Sequence, residues 1–261
     1  MNNPLIIAKI EEYLKQQAET GKYFFVDEDI QGKNIISNYA NESDSKIIKE
    51  PEVPYGLSVP EATDLFDKSV EWKSSATVAE LKSKIENCKN CSLGSTRKNF
   101  VFGSGNPKAD IMVIGEAPGA DEDEQGLPFV GRAGQLLTKI LESINLKRDD
   151  VFICNILKCR PPNNRNPLPS EVEECEPYLK KQIDLIKPQF ILALGLTAVD
   201  TLLKKKHRMM DIRGSIHNYH GIKMLVTFHP AALLRNPNWK VQVWEDVKLL
   251  RKMYDEFLST K

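Results

Sequence analysis

Four of the five cysteines form two sets around a glycine-rich stretch. Cys88 and Cys91 make a tight pair, whereas Cys159 and Cys175 stand sixteen positions apart. Between the sets lie Gly115-Glu-Ala-Pro-Gly119 and Gly126-Leu-Pro-Phe-Val-Gly131. Four thiolates gathered by a fold can hold a [4Fe–4S] cluster or a zinc ion. A glycine-rich turn after an apolar strand lets backbone approach a phosphate or a flat base. Scaffold and loop are interleaved along the chain, so they are expected to work together. Cys154 lies inside an apolar run and reads as a buried thiol.

The elements that must position these residues follow a regular order. Ile111–Ile114, Val151–Cys154, Phe190–Leu194 and Met224–Phe228 are short apolar runs, read as buried strands. Helical spacing is found over Ala133–Ile144, over Ser170–Lys187 with Glu173 as a capping-box partner, from Thr197, and over Trp239–Leu258. A short helix is expected from Thr77 into Cys88. Strands alternating with helices predict an α/β fold, a three-layer α/β/α sandwich around a central four-stranded, mainly parallel sheet. In such sheets ligands gather at the carboxyl ends of the strands. Gly115–Gly119, Asn155–Pro162, Gly195–Thr197 and His229–Leu234 all fall there.

The chain divides near residue 75. Residues 1–75 read as an acidic extension, a short helix over Leu5–Lys15 followed by a linker over Asn38–Pro60. Residues 76–261 read as the folded domain. Residues 1–80 carry 8 Lys, no Arg and 15 acidic residues, a balance of −7, and the rest of the chain balances at +7. The net charge of zero therefore conceals a basic domain able to attract phosphates. Apolar runs are too short to cross a bilayer and no signal segment opens the chain, so a cytoplasmic protein is expected. Reducing conditions then favour metal ligands over disulfides.

The ordered set Cys88-Lys-Asn-Cys91, Gly115-Glu-Ala-Pro-Gly119, Gly126-Leu-Pro-Phe-Val-Gly-Arg-Ala-Gly134, Asn155-Ile-Leu-Lys-Cys-Arg-Pro-Pro162, Cys175 and His229-Pro-Ala-Ala-Leu-Leu-Arg235 resembles the family 4, iron–sulfur uracil-DNA glycosylases. The resemblance covers roughly residues 76–261. It implies excision of uracil from DNA by a base-flipping repair enzyme, with Cys88, Cys91, Cys159 and Cys175 holding a structural [4Fe–4S] cluster. A zinc ribbon would show two tight pairs about 15–20 residues apart. Here 67 residues separate a tight pair from a wide one, which favours the cluster. Gly119 argues against a related class that has Ala there. The short Pro161–Pro167 loop lacks the histidine of a relative that becomes covalently trapped.

The resemblance also implies roles. Gly115, Glu116, Ala117, Phe129, Asn155 and His229 would surround the uracil. Phe129 offers a face for stacking, though a core phenylalanine is the plain alternative. The Asn155 amide suits the O4 and N3–H edge, though asparagine is also common at strand ends. His229 would stabilise the departing anion at O2, as a neutral or a cationic ring. Glu116 would lie against base and sugar, and Asp121, Glu122 and Asp123 remain open as alternatives. Leu233, Leu234 and Arg235 would wedge and clamp flipped DNA, while Leu233 reads equally as a core residue. Lys158, Arg160, Arg165 and the Lys204–Arg208 run are candidates for phosphate contacts. The expected partners are uracil-containing DNA, single- or double-stranded, and a protein docking on the extension, with the chain otherwise a monomer. A non-catalytic metal-bearing DNA-binding or polymerase-accessory module is the alternative.

Overall fold

The computed structural model describes residues 71–261. The helix expected over Leu5–Lys15 and the linker over Asn38–Pro60 lie outside the described residues. Six strands form one sheet in the order β1-β3-β2-β4-β6-β5. They are β1 (Ser104–Gly105), β2 (Ile111–Gly115), β3 (Phe152–Asn155), β4 (Phe190–Leu194), β5 (Ile216–Tyr219) and β6 (Ile222–Thr227). The four expected strands are the parallel centre, β3-β2-β4-β6. β1 and β5 flank it as antiparallel edges, and the sequence reading lacked both. β1 is two residues long, and β5 carries His217 and Asn218, so neither has an apolar run to reveal it.

Nine α-helices surround the sheet among the described residues: α1 (Val78–Ile85), α2 (Leu93–Thr96), α3 (Ala120–Gln125), α4 (Arg132–Glu142), α5 (Pro169–Ile186), α6 (Leu196–Leu203), α7 (Met209–Ile212), α8 (Pro230–Arg235) and α9 (Lys240–Ser259). Side chains alternate across a strand, so each central strand feeds two cores. Met112, Ile114, Ile191, Ala193, Met224 and Val226 pack on one face with Leu81 and Ile85 of α1 and Leu179 and Ile183 of α5. Ile111, Val113, Leu192, Leu194 and Leu225 pack on the other with Leu137 and Leu141 of α4 and Val247 and Leu250 of α9. The three-layer α/β/α class is therefore the observed one. No helix among the described residues is long and apolar enough to cross a membrane.

Local details differ from the sequence reading. α1 starts as expected, with Thr77 Oγ1 accepting from Glu80 N–H at 3.1 Å. α5 begins one residue early, at Pro169, and its cap is Glu171, which accepts the Leu168 N–H at 2.8 Å, not the expected Ser170–Glu173 pair. Proline at the first position has no N–H to satisfy, so it starts the helix. Trp72 packs edge-on against Tyr178, ring centroids 4.8 Å apart, so the packed body extends to at least that residue.

A buried charge network fixes α9 to the end of β6. Asp246 is 1% exposed and accepts from Arg213 Nη2 at 2.7 Å and from Thr227 Oγ1 at 2.7 Å. Burial raises the Asp246 pKa, and Thr227 and Arg213 oppose the rise. Arg213→Met should leave a buried carboxylate unpaired and cost about 3–5 kcal/mol in stability. Urea unfolding at pH 7 measures this, and a loss under about 1 kcal/mol would show that water reaches Asp246.

Candidate active site

The carboxyl ends of β2, β3 and β6 meet at a cavity of about 390 Å³. Its lining includes Glu116, Ala117, Phe129, Asn155, His229 and Arg235, so the expected base-binding residues converge. Gly115 contributes by what it lacks. A Cβ there would lie 2.5 Å from Phe129 Cζ and closer still to Asn155 Oδ1. The cavity floor therefore depends on a glycine at the last position of β2. A larger depression of about 740 Å³, lined by Lys180, Asp184, Tyr219 and His220, gathers none of the expected residues.

Phe129 is 6% exposed and has φ of 54°, a left-handed conformation that L-residues adopt reluctantly. Three contacts hold it there. Arg148 donates to the Phe129 carbonyl at 3.1 Å and to the Pro128 carbonyl at 2.7 Å. Glu122 Oε1 accepts the N–H groups of Val130 and Gly131, each at 2.9 Å. Gly134 of α4 lies so close that a Cβ would overlap the Phe129 carbonyl. The ring turns towards His229, centroids 5.5 Å apart.

The four acidic candidates now separate. Glu122 Oε2 also accepts from Gly119 N–H at 3.1 Å, so this carboxylate ties the two glycine loops together. Asp123 is 4% exposed and accepts from Lys98 N–H at 2.9 Å. Asp121 is exposed and lies beside Gly131. Glu116 lines the cavity, and among the described residues its carboxylate makes no hydrogen bond or ion pair.

Asn155 is 1% exposed at the end of β3, and its Oδ1 has no hydrogen-bond partner among the described residues. His229 caps α8, and its Nδ1 accepts from Ala231 N–H at 3.2 Å. Burial, reinforced by Arg235 and opposed by Glu122, pushes the His229 pKa down to about 4. The ring is therefore neutral at pH 7. With Nδ1 an acceptor, the ring proton resides on Nε2, which becomes a donor.

A second cavity is lined by Cys88, Cys91, Cys159 and Cys175 together. Arg97 Nη1 donates to Cys159 Sγ at 3.1 Å, Tyr178 Oη to Cys88 Sγ at 3.3 Å and Lys158 N–H to Cys175 Sγ at 3.3 Å. An all-sulfur set with donors aimed at the sulfurs suits a soft, anionic thiolate centre. Among the described residues no group of three or more His, Cys, Asp or Glu is closed up to hold a metal ion. Burial pushes the Cys175 thiol up to about 12, so ligation there must displace a proton. Cys154 is fully buried in the core, away from this lining.

The model of the uracil DNA glycosylase superfamily matches residues 102–248. A type-4 uracil-DNA glycosylase of Pyrobaculum aerophilum is 44% identical over 180 residues, 65% of this chain and 91% of that protein. One of Saccharolobus solfataricus is 45% identical over 190 residues, 69% of this chain and 86% of that protein. The chain belongs to the type-4 uracil-DNA glycosylases. A type-5 uracil-DNA glycosylase of Pyrobaculum aerophilum is more distant, 32% identical over 146 residues, 49% of this chain and 64% of that protein.

Two sequence expectations for this glycosylase need correction. Leu233 is 1% exposed and packs in the core shared by α4 and α9, so its side chain is not at the surface, whereas Leu234 is 40% exposed. Lys158 is wholly buried and cannot reach a phosphate. Arg165 is paired with Glu171, and Lys204 with Glu176. Arg97, Arg148 and Tyr178 were missed. Arg97 and Tyr178 reach a sulfur, and Arg148 two backbone carbonyls, across 19 or more residues, and no local pattern reports that.

Leu233→Ala should destabilise the protein by about 2–5 kcal/mol, and Leu234→Ala by far less, as read from urea midpoints. Equal losses would place both leucines in the core. The histidine gives a pH-dependent expectation. Its folded pKa lies below the unfolded value near 6.5, so the unfolded chain takes up the proton that the native ring refuses. The stability from this difference is complete above pH 6.5 and is lost as pH falls towards about 4. Between pH 7 and pH 4.5 the wild type should lose about 2 kcal/mol more than His229→Gln. Identical losses would show an unperturbed ring.

Proposed function

We propose that this protein removes uracil from DNA by hydrolysing the bond between the base and the deoxyribose, as the first step in repair of deaminated cytosine. The base is too deep in a duplex to reach and must swing out into the cavity. Leu234, exposed at the end of α8, is the side chain suited to enter the vacated stack, with Arg235 beside it to hold the backbone. The ring of Phe129 supplies a stacking face, worth on the order of 1–3 kcal/mol per base in single-strand binders.

Asn155 is the observation that carries this reading. A buried amide oxygen without a partner is costly, about 1–3 kcal/mol, unless a ligand completes it. Uracil offers the complement, an N3–H for Oδ1 and O4 for Nδ2. Cytosine offers an amino donor and a bare N3, which would face the same amide donor to donor and acceptor to acceptor. As the glycosidic bond breaks, negative charge gathers on the base. His229 Nε2–H donates to O2 of that anion from a neutral ring. A neutral donor needs no proton transfer and leaves the released uracil as the anion. The sugar becomes cationic, and the Glu116 carboxylate stabilises it and orients the attacking water, whose proton passes to solvent as the new C–O bond forms.

Cys88, Cys91, Cys159 and Cys175 would hold a [4Fe–4S] cluster. Such a cluster would serve as a cross-link between the start of the domain and the loop after β3. The acidic segment ahead of residue 71 would dock a partner protein, with the domain acting as a monomer in the cytoplasm.

Single-turnover release of uracil from a labelled oligonucleotide tests the reading, with a thymine oligonucleotide as control. His229→Ala should slow the step by about 10²–10³ while changing DNA affinity little. Wild-type rates in that variant under saturating enzyme would remove the histidine from catalysis. No release by the wild-type protein would favour a non-catalytic binding module. Anaerobically purified protein should be brown and carry about four irons per chain. Stoichiometric zinc without iron would overturn the cluster.

A further inference from the structure

Lys158 is 0% exposed, one of the largest fully buried side chains among the described residues. Lysine is seldom buried completely unless it is paired, and among the described residues no carboxylate pairs with this one. Instead Nζ donates to the Asn155 carbonyl at 2.8 Å and to Gln182 Oε1 at 2.6 Å. Gln182 is itself 0% exposed and is fixed by donating to the Phe102 carbonyl at 2.9 Å. The backbone of Lys158 is equally committed. Its N–H donates to Cys175 Sγ, and its carbonyl accepts from Val101 N–H at 2.8 Å.

The sheet explains why a donor is needed there. On one side of β3, β1 pairs with Phe152 and Ile153 and reaches no further. On the other side, β2 pairs as far as Asn155. The Asn155 carbonyl lies past the β1 ladder, where a buried acceptor would otherwise lack a partner. The same peptide sets the Cα–Cβ direction of Asn155 and so the orientation of its amide over Gly115.

We propose that Lys158 is a positioning residue for base recognition, its buried ammonium anchoring the Asn155 peptide so that the side-chain amide is held ready for the base. The proposal rests on the reading that Asn155 faces uracil. It differs from a plain packing role because the lysine acts through one particular neighbour. A flexible Asn155 could rotate its amide and accept other edges, whereas an anchored one presents one pattern of donor and acceptor. The connection also runs from the cysteine cavity, through the Lys158 backbone and side chain, to the base pocket.

The test is a double-mutant cycle on the full chain, read by single-turnover excision at saturating enzyme and by inhibition with free uracil, with thermal unfolding followed alongside. Lys158→Met keeps length and removes the ammonium. It should slow excision roughly tenfold to a hundredfold and weaken inhibition by free uracil, as expected for loss of a charged buried hydrogen bond. In the Asn155→Ala background the same change should slow excision no further. If Lys158→Met slows both backgrounds by the same factor, the lysine does not act through Asn155 and the proposal is overturned. If Asn155→Ala excises at the wild-type rate, base recognition by Asn155 fails first and the lysine's role falls with it. Should Lys158→Met not fold, Lys158→Leu, which also removes the donor, takes its place in the cycle, and the same coupling decides.

Discussion

One carboxylate holds the pocket together. Glu122 receives three backbone N–H groups, one from the first glycine loop and two from the second. Neither loop has a strand or helix ladder to satisfy those donors, and a charged acceptor binds them more strongly than a neutral one would. With the loops locked, Phe129 can be kept in a left-handed backbone conformation that costs on the order of 1–3 kcal/mol. Arg148 adds a second clamp on the same turn. The strain is affordable because the surrounding contacts leave the chain no relaxed alternative. Its benefit is a ring placed above the floor that Gly115 leaves bare.

The candidate site gathers groups that are left without partners among the described residues. Among the described residues Asn155 Oδ1 is buried and unbonded and Glu116 is unpaired, and His229 offers one ring nitrogen after α8 has engaged the other. By contrast, the polar groups beneath them are fully committed. Lys158, Gln182, Glu122 and Arg148 make two or more hydrogen bonds each. A rigid lower layer therefore presents an unsatisfied upper layer, the arrangement expected when reorganisation must be finished before the substrate arrives.

Much of this was legible in the sequence. The four parallel strands announced themselves as apolar runs closed by glycine, asparagine or histidine, the loops at their ends hold Glu116, Asn155 and His229, and the family resemblance added Phe129 and the roles of all four. Burial on both faces makes such strands easy to find. What remained hidden was of another kind. Leu233 and Leu234 are adjacent and chemically alike, and the phase of a six-residue helix decides which faces the core. Lys158 sits among basic residues in a loop motif, and composition there suggests a surface. Its burial depends on β1 stopping two residues short, a fact of strand pairing across some fifty residues. The Ser170 cap was plausible locally, but Arg165 and Leu168 drew Glu171 into the role instead.

The sheet's two margins have a consequence for life in a crowded solution. A parallel centre rich in Val, Ile and Leu would, if left open, invite strands from other molecules to add on. β1 covers one margin with only two residues, and its Ser104 and Gly105 adopt a local geometry with φ of 115° at the glycine. β5 covers the other with His217 and Asn218 in its middle. Short, polar or twisted margins give an incoming strand little to grip. Among the described residues, the strands most prone to pairing therefore lie inside the sheet and the margins resist strand addition.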